Sequence, residues 1–223
     1  MLNSLKSLKE LVFTKVCISC AAPEYWLCPS CLSAWNTSVK KNFIEGKPIY
    51  FKSDYTGKTA SVILAAKEGN NLNAIELLAS AISQSIAFSI SELRISSEIT
   101  LVTIPSAPSA IRRRGRDHIN TLAEYVQKDL QQKSIRAQYA PILFQKKSIR
   151  DQSQLSSQQR MENTKGKFAV KSCEIPLGAV YLIDDLITTG ASMLEGVRAL
   201  SEAKITIAAG ITACAVGRIS LIP

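Results

Sequence analysis

The stretch VYLIDDLITTGASM, residues 180–193, decides how the rest of the chain is read. Four apolar residues, Val180, Tyr181, Leu182 and Ile183, run directly into two adjacent acids, Asp184 and Asp185. Two hydroxyls, Thr188 and Thr189, follow, then Gly190, Ala191 and Ser192. A short apolar run of this kind reads as a strand buried on both faces. In sheets covered on both faces, ligands gather outside the carboxyl ends of the strands, which is where the acids fall. A pair of aspartates there has a plain structural explanation, a turn followed by a helix cap. The neighbouring residues argue for more. The hydroxyls, the close backbone approach that a glycine permits and the free amides of a following helix together suit a phosphate monoester. Carboxylates would repel that phosphate on contact. They are expected instead to accept hydrogen bonds from sugar hydroxyls nearby, so the constellation describes a sugar phosphate.

Working outward, residues 192–203 read as a helix and KITIAAGITACAV, residues 204–216, as a further buried strand. Upstream, EITLVTIP (residues 98–105) is a buried strand ended by proline, and PIYFKSDY (residues 48–55) alternates as a short strand. GKTASVILAAKEGNN leads into a helical run ending near Gly69, and residues 72–93 carry apolar side chains at helical spacing, as does TLAEYVQKDLQ. Strands alternating with helices need crossover connections. The expected fold class is therefore α/β, a mostly parallel sheet flanked by helices. The triplet Gly57, Lys58, Thr59 invites a phosphate-loop reading and fails it, because the glycine required five positions earlier is Lys52.

With 223 residues, 46% hydrophobic and 20% charged, the chain has the composition of a globular protein rather than a disordered one. No run approaches the roughly 18 to 20 apolar residues of a membrane span. The opening MLNSLKSLKELVFTK interleaves lysine with leucine and lacks a secretory h-region, so a cytoplasmic protein without membrane insertion is expected. The net charge of +9 is concentrated. RRRGRDH, residues 112–118, carries net +3 and residues 141–171 carry net +5. Two basic segments call for an anionic partner: phosphate, pyrophosphate or nucleic acid; a merely solvated basic face is the plainer reading. The polar stretch KKSIRDQSQLSSQQRMENTKGKF between these elements reads as a mobile loop or surface helix.

Four of the six cysteines fall in fifteen residues, Cys17 and Cys20 in CISC and Cys28 and Cys31 in CPSC. Two C-x-x-C pairs seven residues apart let two tight turns present four thiolates tetrahedrally, as structural Zn²⁺ prefers, with no open position for catalysis. Disulfides, a redox C-x-x-C pair and an iron–sulfur cluster are the alternatives for the same ligands. Cys173 and Cys214 stand apart, and Cys214, inside IAAGITACAV, reads as core. A zinc-binding four-cysteine module over residues 1–45 and a larger domain over residues 46–223 are expected.

VYLIDDLITTGAS resembles the phosphoribosyl pyrophosphate (PRPP) signature of type I phosphoribosyltransferases. The paired C-x-x-C, the segment IPSAPSAIRRRGRDHINTLAEYV and the pattern of Arg150, Asp151, Gln152, Leu155, Arg160 and Asn163 narrow this further. Over nearly its full length the chain resembles the ComF family, phosphoribosyltransferase-like proteins associated with bacterial DNA uptake in competence. Many relatives read R-G-F-N-Q where this chain has Arg114, Gly115, Arg116, Asp117 and His118.

The resemblance implies a type I phosphoribosyltransferase fold and transfer of phosphoribosyl from PRPP to a nitrogenous acceptor with release of pyrophosphate, in competence or nucleotide salvage. It implies that Thr188, Thr189, Gly190, Ala191 and Ser192 hold the 5-phosphate, that Asp184 and Asp185 take the ribose hydroxyls, and that Mg²⁺ accompanies PRPP. Lys67 is the candidate second anchor on pyrophosphate; an ordinary surface lysine is the alternative. Arg113, Arg114 and Arg116, read as a loop after a strand, are placed to close over the leaving group, since guanidinium suits phosphate oxygens. Lys67, Arg114, Asp184 and Asp185 are the candidate catalytic residues. His118, the single histidine, is either a general acid or base or a helix-start residue bonded locally. The competing function is a non-catalytic PRPP- or nucleotide-binding protein that contacts single-stranded DNA or the competence machinery. Single-strand binders add stacking aromatics to a basic groove, and here Tyr25, Trp26 and Trp35 cluster at the cysteine module, where packing a small core is the commoner use.

Overall fold

The computed structural model describes residues 15–146, 166–171 and 176–217. Cys173, Arg150, Asp151, Gln152, Leu155, Arg160 and Asn163 lie outside them. A short helix α1 (Pro29–Leu32) precedes the hairpin β1 (Lys40–Ile44) and β2 (Lys47–Asp54). Then come α2 (Gly57–Lys67), α3 (Leu72–Leu93), β3 (Ile99–Thr103), α4 (Pro108–Arg114), α5 (His118–Gln132) and β4 (Ala137–Tyr139). The chain continues through β5 (Leu143–Gln145), β6 (Phe168–Val170), β7 (Ala179–Ile187), α6 (Ala191–Glu202) and β8 (Ile207–Ala215). Among the described residues the main sheet has the order β1-β2-β8-β7-β3-β4, with β1–β2 antiparallel and its other pairings parallel. The protein is an α/β fold with a mostly parallel sheet between helices, as its alternating pattern requires. β5 and β6 form a separate antiparallel pair.

Side-chain alternation along β7 divides the core in two. Tyr181 and Ile183 face the layer of α3 and α5, among Leu78, Ile82, Ile86, Leu122 and Val126. Val180 and Leu182 face the layer of α6 and the β5–β6 pair, among Met193, Leu200, Leu143 and Phe168. Each large apolar side chain these layers bury is worth about 1.5 to 3 kcal/mol relative to exposure. By length and composition α3 is apolar enough to cross a membrane. Its place here is the core, with ten of its residues buried. Asn71 caps its start by accepting from the Ala74 amide at 3.1 Å.

Two glycines fix how closely the layers approach. A Cβ on Gly210 of β8 would lie 2.5 Å from Ile49 Cδ1 and 3.0 Å from Met193 Sδ. Gly178, at φ +68°, turns the chain into β7, and a Cβ there would lie 1.7 Å from the Glu98 carbonyl oxygen.

Several elements depart from expectation. β7 continues past Ile183 to Ile187, because β8 supplies partners to its end: Asp184 is level with Thr212 and Leu186 with Cys214. Both acids therefore belong to the strand. The arginines at 112–114 are helical rather than in a loop, since Pro108 starts α4 and Gly115, at φ +70°, ends it. β1 and β2 turn at Glu45 and Gly46, and β1 adds an edge strand to the main sheet.

Candidate functional site

A cavity of about 440 Å³ opens at the carboxyl ends of β3 and β7. β7 presents Asp184 and Asp185 to it, the following loop adds Thr188 and the first turn of α6 adds Ser192. The segment after β3 supplies Ser106, and α4 supplies Arg113 and Arg114. Lys67 reaches in from the last turn of α2, His118 from the first of α5, and Gln145 and Phe168 from the β5–β6 pair. Seven elements, α2, α4, α5, α6, β5, β6 and β7, thus converge on one space.

Their side chains form a closed circuit. Lys67 Nζ donates to Asp185 Oδ2 at 3.1 Å, and His118 Nε2 lies 3.2 Å from the same oxygen. His118 Nδ1 is 3.1 Å from Arg114 Nη1. A guanidinium can only donate, so Nδ1 accepts and the ring proton sits on Nε2, toward Asp185. Arg114 donates to Glu68 through Nε at 3.0 Å to both carboxylate oxygens and through Nη2 at 2.7 Å. Glu68 adjoins Lys67, which closes the ring. Ser106 Oγ donates to Asp117 Oδ1 at 2.8 Å, and Asp117 caps α5 by accepting from the Ile119 amide at 3.3 Å. The cap thereby sets the helix start on which His118 rides.

The paired acids behave oppositely. Burial, and after it the charge of Asp185, pushes the Asp184 carboxyl well above the ordinary range. Burial also opposes ionisation of Asp185, but Lys67 and the hydrogen bond from His118 outweigh it and hold that carboxyl below the ordinary range. Lys67 is itself held in its charged form: burial works against the charge, and Asp185 and Asp184 overcome it. Asp185 is the structural anion of the ring, and Asp184, whose Oδ1 accepts only the Asp185 amide at 2.9 Å among its described contacts, is the acid free to meet a ligand.

The loop after β7 has the geometry of an anion cradle. Gly190, at φ +78°, caps α6, and the Ala191 amide reaches Thr189 Oγ1 at 3.4 Å. The remaining first-turn amides of this twelve-residue helix have no partner within the helix itself. A phosphate at that position gains both the amides and the positive end of the helix dipole.

Further along α6, Glu195 accepts the Phe168 amide at 2.9 Å, while Arg198 donates to the Phe168 carbonyl at 3.0 Å. Arg198 also grips Glu195 at 2.6 and 2.8 Å. Both backbone groups of Phe168 are thus read by side chains, which ties the β5–β6 pair to the helix that carries the cradle.

The cysteine cluster forms a second site. The sulfurs of Cys17, Cys20, Cys28 and Cys31 all lie within 4.8 Å of one another, and those of Cys20 and Cys28 are 3.5 Å apart. Tetrahedral Zn²⁺ with 2.3 Å bonds sets sulfurs about 3.8 Å apart, so the four can hold such an ion. The Cys28 amide donates to Cys17 Sγ at 3.4 Å; burial raises that thiol, but the backbone hydrogen bonds carry it down to about 6. Cys17, Cys28, Cys31 and Trp35 pack into the same core as Tyr50 and Val62, so the cluster is seated on the main sheet. Tyr25 is exposed. Cys214 is fully buried, and burial pushes its thiol up to about 12.

No protein-family model matches the chain, and no curated protein sequence does. Among solved structures it is similar to adenine phosphoribosyltransferase from Saccharomyces cerevisiae complexed with D-2,5-dideoxy-2,5-imino-altritol 1,6-bisphosphate and adenine. The identity is 11%, the match covers 86% of this chain and 92% of that one, and the TM-score is 0.39. It is also similar to adenine phosphoribosyl transferase from Trypanosoma brucei in complex with AMP, pyrophosphate and ribose-5-phosphate, at 13% identity over 68% of each chain with a TM-score of 0.33. Values of this size leave the site to be read from the chain's own residues.

Of the residues singled out in the sequence, Lys67, Arg113, Arg114, Asp184, Asp185, Thr188 and Ser192 line the cavity. Thr189, Gly190 and Ala191 complete the adjoining loop. Arg116 does not line it: Nη2 donates to the carbonyls of Ala66 at 2.6 Å and Lys67 at 3.1 Å, pinning the end of α2. His118 starts a helix, yet its partners Asp185 and Arg114 lie on other elements. Glu68, Ser106, Asp117, Gln145 and Phe168 were not legible. Glu68 had one signal, its place beside Lys67; Gln145 and Phe168 had none, because each sits on a three-residue strand too short for alternation.

Proposed function

We propose that this chain is a cytoplasmic PRPP-binding phosphoribosyltransferase-like protein that transfers phosphoribosyl to a nitrogenous acceptor and releases pyrophosphate. The observation that carries the reading is the sharing of one cavity by a carboxylate pair, an amide-rich loop and a cation set of Lys67, Arg113 and Arg114. A sugar carrying a phosphate at one end and a diphosphate at the other needs those three elements in that relation.

In this reading the loop at Thr188, Thr189, Gly190, Ala191 and Ser192 takes the 5-phosphate, and Asp184 accepts from the ribose hydroxyls. Asp185, engaged by Lys67 and His118, keeps Lys67 turned toward the site. The acceptor nitrogen bonds to C1 as the C1–oxygen bond breaks, the electron pair leaves with pyrophosphate, and the nitrogen's proton passes to the departing pyrophosphate. Positive charge builds on the ribose ring as it does in glycoside cleavage. Arg114 and Lys67 meet the charge of the departing diphosphate. The hard oxygens of Asp184 suit Mg²⁺ carrying retained waters, which would neutralise pyrophosphate charge. In the cysteine site Zn²⁺ would be structural, since four thiolates leave it no open position.

Calorimetry with PRPP and Mg²⁺ tests the reading. Wild type should bind, and Asp184→Asn/Asp185→Asn should weaken binding at least about tenfold, the cost of about 1.4 kcal/mol. A wild type that does not bind PRPP overturns it. The alternative, a PRPP-binding protein serving DNA uptake without turnover, shares this site and would release no pyrophosphate across a panel of nucleobases.

A further inference from the structure

Both cations deepest in the cavity are already neutralised, each by a carboxylate on a different element. Asp185 holds Lys67, and Glu68 holds Arg114. The two pairs differ in how they can be opened. The Asp185 side chain is 4% exposed and takes two hydrogen bonds on one oxygen, whereas the Glu68 side chain is 41% exposed. Arg114, at 7% exposure, cannot remain without a counter-charge when no ligand is present. Glu68 meets that need with three contacts of 2.7 to 3.0 Å and also attracts Arg113 Nη2 at 3.6 Å. Planar carboxylate oxygens on a guanidinium fork present the same pattern as two phosphoryl oxygens.

We propose that Glu68 occupies the diphosphate subsite as an internal stand-in for the ligand, and that the leaving-group end of the substrate binds by displacing its carboxylate from Arg114 and Arg113. The inference rests on reading the cavity as a ribose-diphosphate site. It assigns the two ends of the substrate: the diphosphate to the arginines of α4, the 5-phosphate to the loop before α6. Glu68 thereby sets diphosphate affinity without touching the sugar. The displaced side chain has somewhere to go, since it sits at the C-cap of α2 and faces solvent on one side. The backbone beneath it stays in place because Arg116 holds the Ala66 and Lys67 carbonyls.

The test is calorimetry at fixed ionic strength with inorganic pyrophosphate and, separately, ribose 5-phosphate, on wild type and Glu68→Gln. The amide removes the counter-charge but keeps an acceptor oxygen for Arg114, a thermal melt checks that the variant is folded, and Glu68→Ala is the second variant. Pyrophosphate should bind the variants roughly three- to tenfold tighter than wild type, the span of a partly exposed ion pair. Ribose 5-phosphate affinity should not change. Equal or weaker pyrophosphate binding by both variants overturns the proposal, as does an equal gain for both ligands, which would mark a general charge effect. Failure of the ribose reading looks different: pyrophosphate binding would still tighten, while wild type ignored PRPP and ribose 5-phosphate.

Discussion

Lys67 Nζ and Asp185 Oδ2 lie 3.1 Å apart across 118 positions of sequence. The contact joins the end of α2 to the end of β7, and His118 completes it from α5 on the same oxygen. A carboxylate so engaged is part of the scaffold. Its neighbour Asp184, raised by burial and then by Asp185, stands in energetic tension with the fold.

The two aspartates should therefore separate on substitution. Asp185→Asn strips Lys67 and His118 of their shared anion and should destabilise the protein by about 2 kcal/mol, below the 3 to 5 of a fully buried pair because Lys67 is about a third exposed. Asp184→Asn should leave stability unchanged or raise it. Urea denaturation of the two single variants checks this, and equal losses would contradict it.

The same asymmetry predicts a pH profile. Asp185, Glu68 and Glu195 are lowered in the fold, so each contributes stability that is present above about pH 4 and lost as pH falls. Asp184 is raised, so its contribution is present below about pH 4 and lost as pH rises through its folded value. Melting temperature should fall from pH 5 to pH 3, and Asp185→Asn should flatten that fall. Asp184→Asn should gain on wild type near neutrality and lose the advantage at pH 3.

Metal removal should be felt well beyond the cysteines. Cys17, Cys28, Cys31 and Trp35 share a core with Tyr50 and Val62, so a collapsed cluster exposes one edge of the main sheet. One zinc per chain, lost in Cys17→Ser, should accompany a fall in melting temperature of about 5 °C or more, the scale of a loss near 2 kcal/mol. Metal analysis and calorimetric melts measure both, and a metal-free chain of unchanged stability would rule out a structural ion.

The Phe168 clamp should act on the cavity wall. Glu195→Gln leaves one carboxylate-strength acceptor short at the Phe168 amide and should cost about 1 to 3 kcal/mol. In the proposed reaction it should raise KM for the acceptor more than it lowers kcat, because Phe168 lines the site and its own side chain carries no titratable group. An unchanged KM with a lowered kcat would place the clamp elsewhere in the cycle.

Much of this is legible in the sequence alone. Apolar runs flanked by helical periods specify a parallel sheet with two covered faces, because only buried strands dispense with alternation. The acids, hydroxyls and glycine of residues 180–193 carry their own chemistry, and so do four cysteines in two tight turns. What stayed hidden was every property that depends on a partner distant in sequence. The length of β7 was set by β8, the helical form of Arg112, Arg113 and Arg114 by a proline start and glycine stop, and the diversion of Arg116 by the carbonyls at the end of α2. Residues 184 and 185 are chemically identical in the sequence. Only the tertiary structure, by setting Lys67 and His118 against one carboxylate and burial against the other, made them different acids.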